Sequence, residues 1–195
     1  AILNNSSIKC WGRGDEGQMA HGKTSDRLSP PTSTTDIGTG QTATAITAGN
    51  FHNCAILDNS SVKCWGYNAS GQLGLGHTNN RGDGSNQMGD NLLVVELGAG
   101  RTARGITAGD NQTCAILDNA SIKCWGANAF GQLGLGDTVN RGDNSSDMGD
   151  NLTTVDLGTG ITAKAIQAGN DHTCAILDNA SIKCWGYNAS GQLGL

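Results

Sequence analysis

The stretch CAILDNSSVKCWGYNASGQLGLG, residues 54–76, decides the fold because the chain repeats it. A second copy, CAILDNASIKCWGANAFGQLGLG, occupies residues 114–136, and a third, CAILDNASIKCWGYNASGQLGL, occupies residues 174–195. A divergent copy, AILNNSSIKCWGRGDEGQMAHG, opens the chain at residues 1–22. Repeated units of this kind bury their apolar faces by stacking on one another. We therefore divide the chain into repeats 1–50, 51–110, 111–170 and 171–195 of one array, and we expect the first and last to be truncated copies.

Each repeat contains four runs that are typical of strands. Between residues 45 and 97 they are AITAG at residues 45–49, CAIL at 54–57, VKCWG at 62–66 and LLVVEL at 92–97. Short apolar runs bounded by Gly, Asn and Asp are strands more often than helices. Four strands in 50–60 residues match one blade of a β-propeller. The predicted fold class is all-β, a partial β-propeller of four-stranded blades built from 54–60-residue repeats.

The spacing of the cysteines predicts disulfides within each repeat. Cys54 and Cys64 enclose nine residues, and the same interval recurs twice. A three-residue loop at 58–60, with one residue in the left-handed region that Asn tolerates well, places the two cysteines directly opposite each other. Opposed residues in a non-hydrogen-bonded pair lie within disulfide reach. The predicted bonds are Cys54–Cys64, Cys114–Cys124 and Cys174–Cys184.

Two other uses of these cysteines are open, namely reduced thiols and zinc ligands. Zinc sites need about four ligands, and His52 and His172 precede their cysteines by two residues, but Gln112 takes that place in the middle copy. We interpret Cys10 as a cysteine whose partner, ten residues earlier, is missing from this chain. Repeated disulfides indicate an oxidising compartment, so we expect an extracellular or cell-surface location.

The pattern AGNFHNCAIL followed by VKCWGYNASGQLGLG, in residues 48–76, recurs at 108–136 and 168–195. It resembles the repeat of the regulator of chromosome condensation family, whose superfamily includes a secreted β-lactamase inhibitor propeller. The resemblance implies a seven-bladed propeller of four-stranded blades and a role in protein binding. Nuclear members are guanine-nucleotide exchange factors for a small GTPase, but no residue of that exchange site has a recognisable match here. The paired cysteines resemble extracellular or bacterial members instead.

Ten Asn-x-Ser/Thr sequons are candidate glycosylation sites if the chain enters a eukaryotic secretory route. The alternative is that Asn and Ser are simply favoured in turns. We expect the sequons at the hairpin tips to be the most accessible, and Asn151 to be partly buried because it begins a strand-like run. The tip sequons are Asn59, Asn119 and Asn179, and the others are Asn4, Asn5, Asn68, Asn111, Asn144, Asn151 and Asn188.

Three further motifs have both a functional and a structural interpretation. Asp143, Asp147 and Asp150 are weak calcium candidates, since Gln87 replaces Asp147 in the preceding repeat. Arg-Gly-Asp occurs at residues 13–15, 81–83 and 141–143, where turn chemistry is favoured over adhesion. The tryptophans recur once per repeat, and we expect them to pack between blades rather than stack on a ligand: Trp11, Trp65, Trp125 and Trp185.

Composition narrows the function. The net charge is −5, and Lys and Arg form no cluster, so we expect no nucleic-acid partner. No apolar run reaches the length of a membrane span, so we expect no membrane insertion. We also expect no cofactor, no metal and no enzymatic activity. The predicted function is an extracellular repeat scaffold that binds a protein partner or copies of itself.

Two alternatives remain at this point. The first is a structural subunit of a glycosylated cell-surface layer, appendage or fibre. The second is a guanine-nucleotide exchange factor for a small GTPase, which the paired cysteines disfavour.

Overall fold

The computed structural model describes residues 1–194, and Leu195, the last residue of the fourth repeat, lies outside the described residues. Nine strands form three antiparallel sheets, each with its strands in sequence order. The described part of the chain contains two short 3-10 helices, Gly89–Asn91 and Gly149–Asn151, and no α-helix. The strands are β1 (Ala43–Ala48), β2 (His52–Leu57), β3 (Val62–Gly66), β4 (Ala103–Ala108), β5 (Gln112–Leu117), β6 (Ile122–Gly126), β7 (Ala163–Ala168), β8 (His172–Leu177) and β9 (Ile182–Gly186).

Each sheet is one blade of a partial β-propeller, which confirms the predicted fold class. The blades cover residues 43–66, 103–126 and 163–186, so each takes its first strand from the end of the preceding sequence repeat. These first strands lie next to one another, because β1 contacts β4 and β4 contacts β7. The blades therefore stack side by side, as an array of repeats requires.

The prediction of a fourth strand in each blade is wrong. Residues 92–97 lie along the outer edge of β3, but they make one backbone hydrogen bond to it, from Val95 N to the Val62 carbonyl at 2.8 Å. The Glu96 carbonyl instead accepts a hydrogen bond from Gly149 N of the next repeat at 2.9 Å. The segment is therefore shared between two blades, and we call residues 92–97 the outer segment.

The β2–β3 hairpin has the predicted three-residue loop, closed by a 2.9 Å hydrogen bond from Leu57 N to the Ser61 carbonyl. The left-handed residue is Ser60, with φ 64°, and not the neighbouring asparagine. Asn59 has a different role, because its Oδ1 atom accepts hydrogen bonds from Ser61 N at 3.0 Å and from the Ser61 hydroxyl at 2.7 Å. The Asn side chain caps the turn, which leaves the left-handed conformation to the next residue.

Three of the four tryptophans pack between repeats, as predicted, whereas Trp11 is 43% exposed and does not follow the prediction. Trp65 and Trp125 are fully buried. The Trp65 indole donates a hydrogen bond to the Gln18 carbonyl of the preceding repeat at 3.1 Å, and Trp125 donates to the Gln72 carbonyl at 3.0 Å. Trp185 donates equivalently to the Gln132 carbonyl at 3.0 Å, so each of these three tryptophans ties its blade to the preceding repeat.

The last blade shows which side chains are buried when one blade stacks on the next. Ile122 in β6 is 0% exposed, whereas Ile182 at the equivalent position of β9 is 67% exposed. The difference arises because β5 and β6 are covered by the next blade and β8 and β9 are not. A single blade therefore does not bury its own apolar face.

Candidate functional site

The three disulfides tie the second and third strands of each blade. Cys54 and Cys64 are directly opposite in the register, with their Cα atoms 4.1 Å apart, and their sulfurs are bonded. The bonds Cys114–Cys124 and Cys174–Cys184 have the same arrangement. The first two bonds are fully buried, whereas the cysteines of the last blade are half-buried. The hairpins are therefore rigid supports for the loops at both of their ends.

Cys10 has no disulfide partner among residues 1–194. Its side chain is buried in a cluster with Ile8, Met19 and Trp65. Burial raises the pKa of the Cys10 thiol, although a hydrogen bond with Thr35 opposes the rise. The neutral thiol is therefore favoured over the thiolate at this buried position.

His52 links two blades through a hydrogen bond. Its Nε2 atom lies 2.8 Å from the Thr113 hydroxyl, which itself donates to the Gln72 carbonyl at 2.8 Å. Because the hydroxyl proton is used on Gln72, Nε2 must carry the proton that bonds His52 to Thr113. Complete burial lowers the pKa of His52 to about 4. The imidazole is therefore neutral across the physiological range.

The loop acids that were calcium candidates do not assemble into a site. Asp147 accepts hydrogen bonds from Asn144 N and Gly142 N, at 3.0 and 3.2 Å, and Asp150 accepts one from Ala99 N at 2.9 Å. Burial and the neighbouring Asp147 carboxylate raise the pKa of Asp143. No group of three His, Cys, Asp or Glu side chains suited to a metal occurs in the described part of the chain. Asp147 and Asp150 instead accept hydrogen bonds from backbone amides, and Asp143 accepts one from the Asn144 side chain.

Two of the three Arg-Gly-Asp sequences pack between repeats. A side chain on Gly82 would place its Cβ 2.5 Å from the Gly17 carbonyl oxygen, and one on Gly142 would place it 2.6 Å from the Gly71 oxygen. Gly22 N donates to the Gly82 carbonyl at 3.0 Å. In the third sequence Arg13 forms an ion pair with Asp15. These tripeptides are turn and packing elements, as favoured above.

A repeated buried lysine was missed in the sequence. Lys63 is 6% exposed, and its Nζ atom donates to the carbonyls of Ile37 at 2.9 Å and Gly89 at 2.8 Å. Burial lowers the pKa of the Lys63 ammonium, while Asp90 and Asp36 oppose the shift. Lys123 makes the equivalent bonds to Leu97 and Gly149. The signal available in the sequence was the invariable Lys before the second cysteine of every repeat, at residues 9, 63, 123 and 183.

The sequons differ in accessibility. Asn68 is fully buried, and its side-chain amide donates to the carbonyls of His77 at 2.7 Å and Asn79 at 3.0 Å. A glycan on this nitrogen is incompatible with the fold, which corrects the candidate. Asn151 is exposed rather than partly buried, because the third-repeat equivalent of the outer segment, residues 152–157, begins after it. The exposed sequons are Asn4, Asn5, Asn59, Asn119, Asn144, Asn151 and Asn179, whereas Asn111 and Asn188 are half-buried.

The hairpin tips share one geometry, including a fourth copy at the start of the chain. At each tip a serine hydroxyl donates to the Oδ1 atom of the sequon asparagine two residues earlier, at 2.7 Å in every copy. The asparagines are Asn5, Asn59, Asn119 and Asn179, all of them exposed. The blades therefore present a row of identical polar tips.

The loops that follow β3 and its equivalents, together with the β1–β2 turn, carry four Phe and Tyr side chains, of which Phe130 is exposed and the other three are half-buried. Phe51 and Tyr67 meet edge to face with ring centroids 6.2 Å apart, and the Arg13 guanidinium lies 4.7 Å from the Phe51 ring centre. Phe130 and Tyr187 meet in the same way at 4.8 Å, and Phe130 is 50% exposed. We call these five residues the aromatic loop surface. Aromatic and Arg side chains of this kind are enriched in protein interfaces.

The described residues include no helix with the length and hydropathy that crossing a membrane would require. Two family models, both for the regulator of chromosome condensation (RCC1) repeat, match the chain. One covers residues 10–56, and the other covers 43–72, 103–132 and 163–192. Together they account for more than half of the chain.

Among curated proteins, the chain is similar to the ultraviolet-B receptor UVR8 of Arabidopsis thaliana, with 31% identity over 200 residues, 100% of this chain and 40% of that protein. The crystal structure of human WBSCR16 aligns with a TM-score of 0.76 and 16% identity, over 100% of this chain and 46% of that one. Yeast RCC1 (Prp20), solved bound to Kap60, aligns with a TM-score of 0.70 and 17% identity, over 95% of this chain and 40% of that one. The chain thus spans less than half the length of each.

Proposed function

The chain belongs to the regulator of chromosome condensation repeat family, and from this premise we propose that it is a non-enzymatic scaffold that binds a protein partner outside the cytosol. Proteins built on such repeats mediate protein interactions, and yeast RCC1 has been solved bound to another protein. The proposal for this chain adds the location, the absence of a reaction and the surface that binds.

The observation that carries the proposal is the aromatic loop surface. Phe130 exposes half of its surface while resting on Tyr187. Large aromatic side chains on loops held by rigid strands provide contact area at a low cost in conformational entropy. The strands below are fixed by the Cys114–Cys124 and Cys174–Cys184 disulfides. A partner docking here would meet a surface that needs little reorganisation.

The extracellular location is supported by the three disulfides. Such bonds persist in oxidising compartments and are rare in the cytosol. In a eukaryotic secretory route the exposed tips at Asn59, Asn119 and Asn179 would accept glycans, and their row would solvate a surface with only 15% charged residues. Glycans at the tips and a partner at the aromatic loops would not compete, because the tips lie at the opposite end of the β2–β3 hairpin.

The non-enzymatic role is supported by how the reactive side chains are used. His52 is buried in a hydrogen bond between blades, and Cys10 is buried among apolar side chains. Asp147 caps backbone amides. Each group is thus engaged in holding the blades or loops together.

The test exchanges one aromatic residue for the residue found at the same place in neighbouring repeats. Ser70 and Ser190 occupy the position of Phe130, so Phe130→Ser keeps the loop sequence compatible with the fold. Val139→Asn is the matched control, since Val139 is 61% exposed on the same loop but is not aromatic, and Asn79 is its equivalent. Both variants and the unaltered chain are used to capture extracellular proteins from the source organism, with quantitative mass spectrometry as the readout. A partner should be retained by the control and lost by Phe130→Ser, and equal capture by all three would contradict the proposal.

A second candidate function is a structural subunit of a glycosylated surface layer, appendage or fibre. It is favoured by the row of exposed sequon tips at Asn59, Asn119 and Asn179. Electron microscopy of the native glycosylated material should then show a layer or filament, and isolated single particles would contradict this function. Guanine-nucleotide exchange has no supporting residue within positions 1–194.

A further inference from the structure

A groove lies on the outer rim, at the junction between the second and third repeats. It has a volume of about 370 Å³. Its walls are Leu75, the exposed side chains Leu93, Val94 and Glu96 of the outer segment, and Met148 of the following repeat. The junction is internal to the array, so the exposure of these residues does not result from a missing neighbouring blade. The groove is also separate from the aromatic loop surface.

Two consecutive aliphatic side chains are exposed beside the groove. Leu93 is 64% exposed and Val94 is 39% exposed. Their equivalents in the third repeat are Thr153 and Thr154, and those in the first are Ser33 and Thr34. The fold therefore accepts small polar residues at these positions, and packing within the blade does not require the aliphatic pair. An apolar pair that the fold does not need is a sign of an interaction surface.

The backbone beside these side chains is also unpaired. The Val95 N–H faces β3, so the groups that face away belong to residues 94 and 96, and among the described residues the N–H groups of Val94 and Glu96 and the Val94 carbonyl make no hydrogen bond. They belong to an extended segment at the outer edge of a sheet. Such an edge is a template for the addition of another strand.

The charge at this edge selects among possible strands. The Glu96 side chain is exposed and makes no ion pair or hydrogen bond within residues 1–194. The chain as a whole carries a net charge of −5. A segment with Lys or Arg near its apolar anchor therefore complements the edge, whereas an acidic segment is repelled.

We propose that the outer segment at residues 92–97 binds an extended, basic segment of a partner protein by β-strand addition. One large apolar side chain of that segment fills the groove between Leu75 and Met148, and a neighbouring Lys or Arg pairs with Glu96. The proposal goes beyond the scaffold function, because it adds a second surface with a different class of ligand. If the aromatic loop surface bound no partner, the proposal for residues 92–97 would still stand.

The experiment titrates the isotopically labelled chain with the peptide acetyl-KTFTK-amide and follows backbone amide shifts by NMR. The shifts should concentrate at Gly74, Gly76 and residues 93–96. The peptide acetyl-ETFTE-amide should bind at least about tenfold more weakly, because its charges oppose Glu96.

The matched variant is Leu93→Thr with Val94→Thr, which copies the third repeat and so retains a fold-compatible sequence. It should weaken binding of the basic peptide by about tenfold or more, because the apolar contact is lost. Glu96→Gln should narrow the difference in affinity between the basic and the acidic peptide. The proposal is overturned if the shifts fall outside the groove, if the threonine variant binds equally well, or if the groove amides shift with protein concentration alone, which would assign the edge to a second copy of the chain.

Discussion

The imidazole Nε2 of His52 lies 2.8 Å from the hydroxyl oxygen of Thr113, so that a histidine of one blade is hydrogen bonded to a threonine of the next. The pair recurs only in part, because Gln112 replaces the histidine in the following repeat and donates instead to the Gly169 carbonyl at 3.1 Å. The same position thus joins blades with a titratable group at one junction and a neutral amide at another.

The first prediction concerns pH. His52 has a folded pKa of about 4, below the ordinary value of 6.5, because it is completely buried. Between these values the unfolded chain binds the proton and the folded chain does not, so stability is present above pH 6.5 and is lost as the pH falls towards 4. The loss from this group should be on the order of 3 kcal/mol. Urea unfolding at a series of pH values measures it.

His52→Gln is the matched variant for that prediction, since Gln112 already occupies the equivalent position. It should flatten the dependence of unfolding free energy on pH in this window. An unchanged slope in the variant would show that His52 is not the group responsible.

The second prediction concerns the buried lysine. Lys63→Met keeps the aliphatic stem but removes the donor to the Ile37 and Gly89 carbonyls. The loss should cost about 2–3 kcal/mol in unfolding free energy, since two carbonyls lose a charged donor. Lys23→Met, at an exposed position, is the control and should change stability by less than about 0.5 kcal/mol. Equal effects of the two substitutions in urea unfolding would refute the assigned role.

The third prediction concerns the order in which the disulfides are reduced. In the chain of residues 1–195, Cys54–Cys64 and Cys114–Cys124 are fully buried, whereas Cys174 and Cys184 are half-buried. A thiolate must reach a sulfur to exchange with it. Under native conditions a mild reductant should therefore open Cys174–Cys184 first, as measured by timed alkylation and peptide mass spectrometry. In denaturant the three rates should converge, and equal native rates would contradict the burial argument.

The fourth prediction concerns the sequons. In eukaryotic secretory expression, Asn59, Asn119 and Asn179 should carry glycans in the folded protein, because each is exposed at a hairpin tip. Asn68 should be unmodified, because its amide nitrogen is occupied by the His77 and Asn79 carbonyls. Site-resolved glycopeptide mass spectrometry distinguishes them. Bare tips, or a glycan on Asn68 in folded material, would count against the assignment.

The local pattern of the sequence was sufficient for the hairpins. The nine-residue interval between Cys54 and Cys64, with polar residues at its centre, predicts both the register and the disulfide, because an antiparallel hairpin with a three-residue loop leaves one possible pairing. The Trp at the end of β3 was predicted to pack between blades, since its recurrence once per repeat matches the recurrence of junctions. The first inference depends on a contact between residues close in the sequence, and the second depends on a contact that occurs once in each repeat.

Other features were decided only by the tertiary structure, because they depend on contacts between repeats. Leu92–Leu97 has the composition of a strand, but the Glu96 carbonyl bonds to the next repeat, so the segment does not pair fully with β3. Asn68 and Asn59 are both sequon asparagines, yet one is buried and the other is exposed, because a distant loop folds over the first. The sequence by itself determined the repeating hairpin and its disulfide, whose partners lie ten residues apart. Tertiary structure decided which edges, amides and aliphatic side chains remain exposed, because exposure depends on how neighbouring repeats pack together.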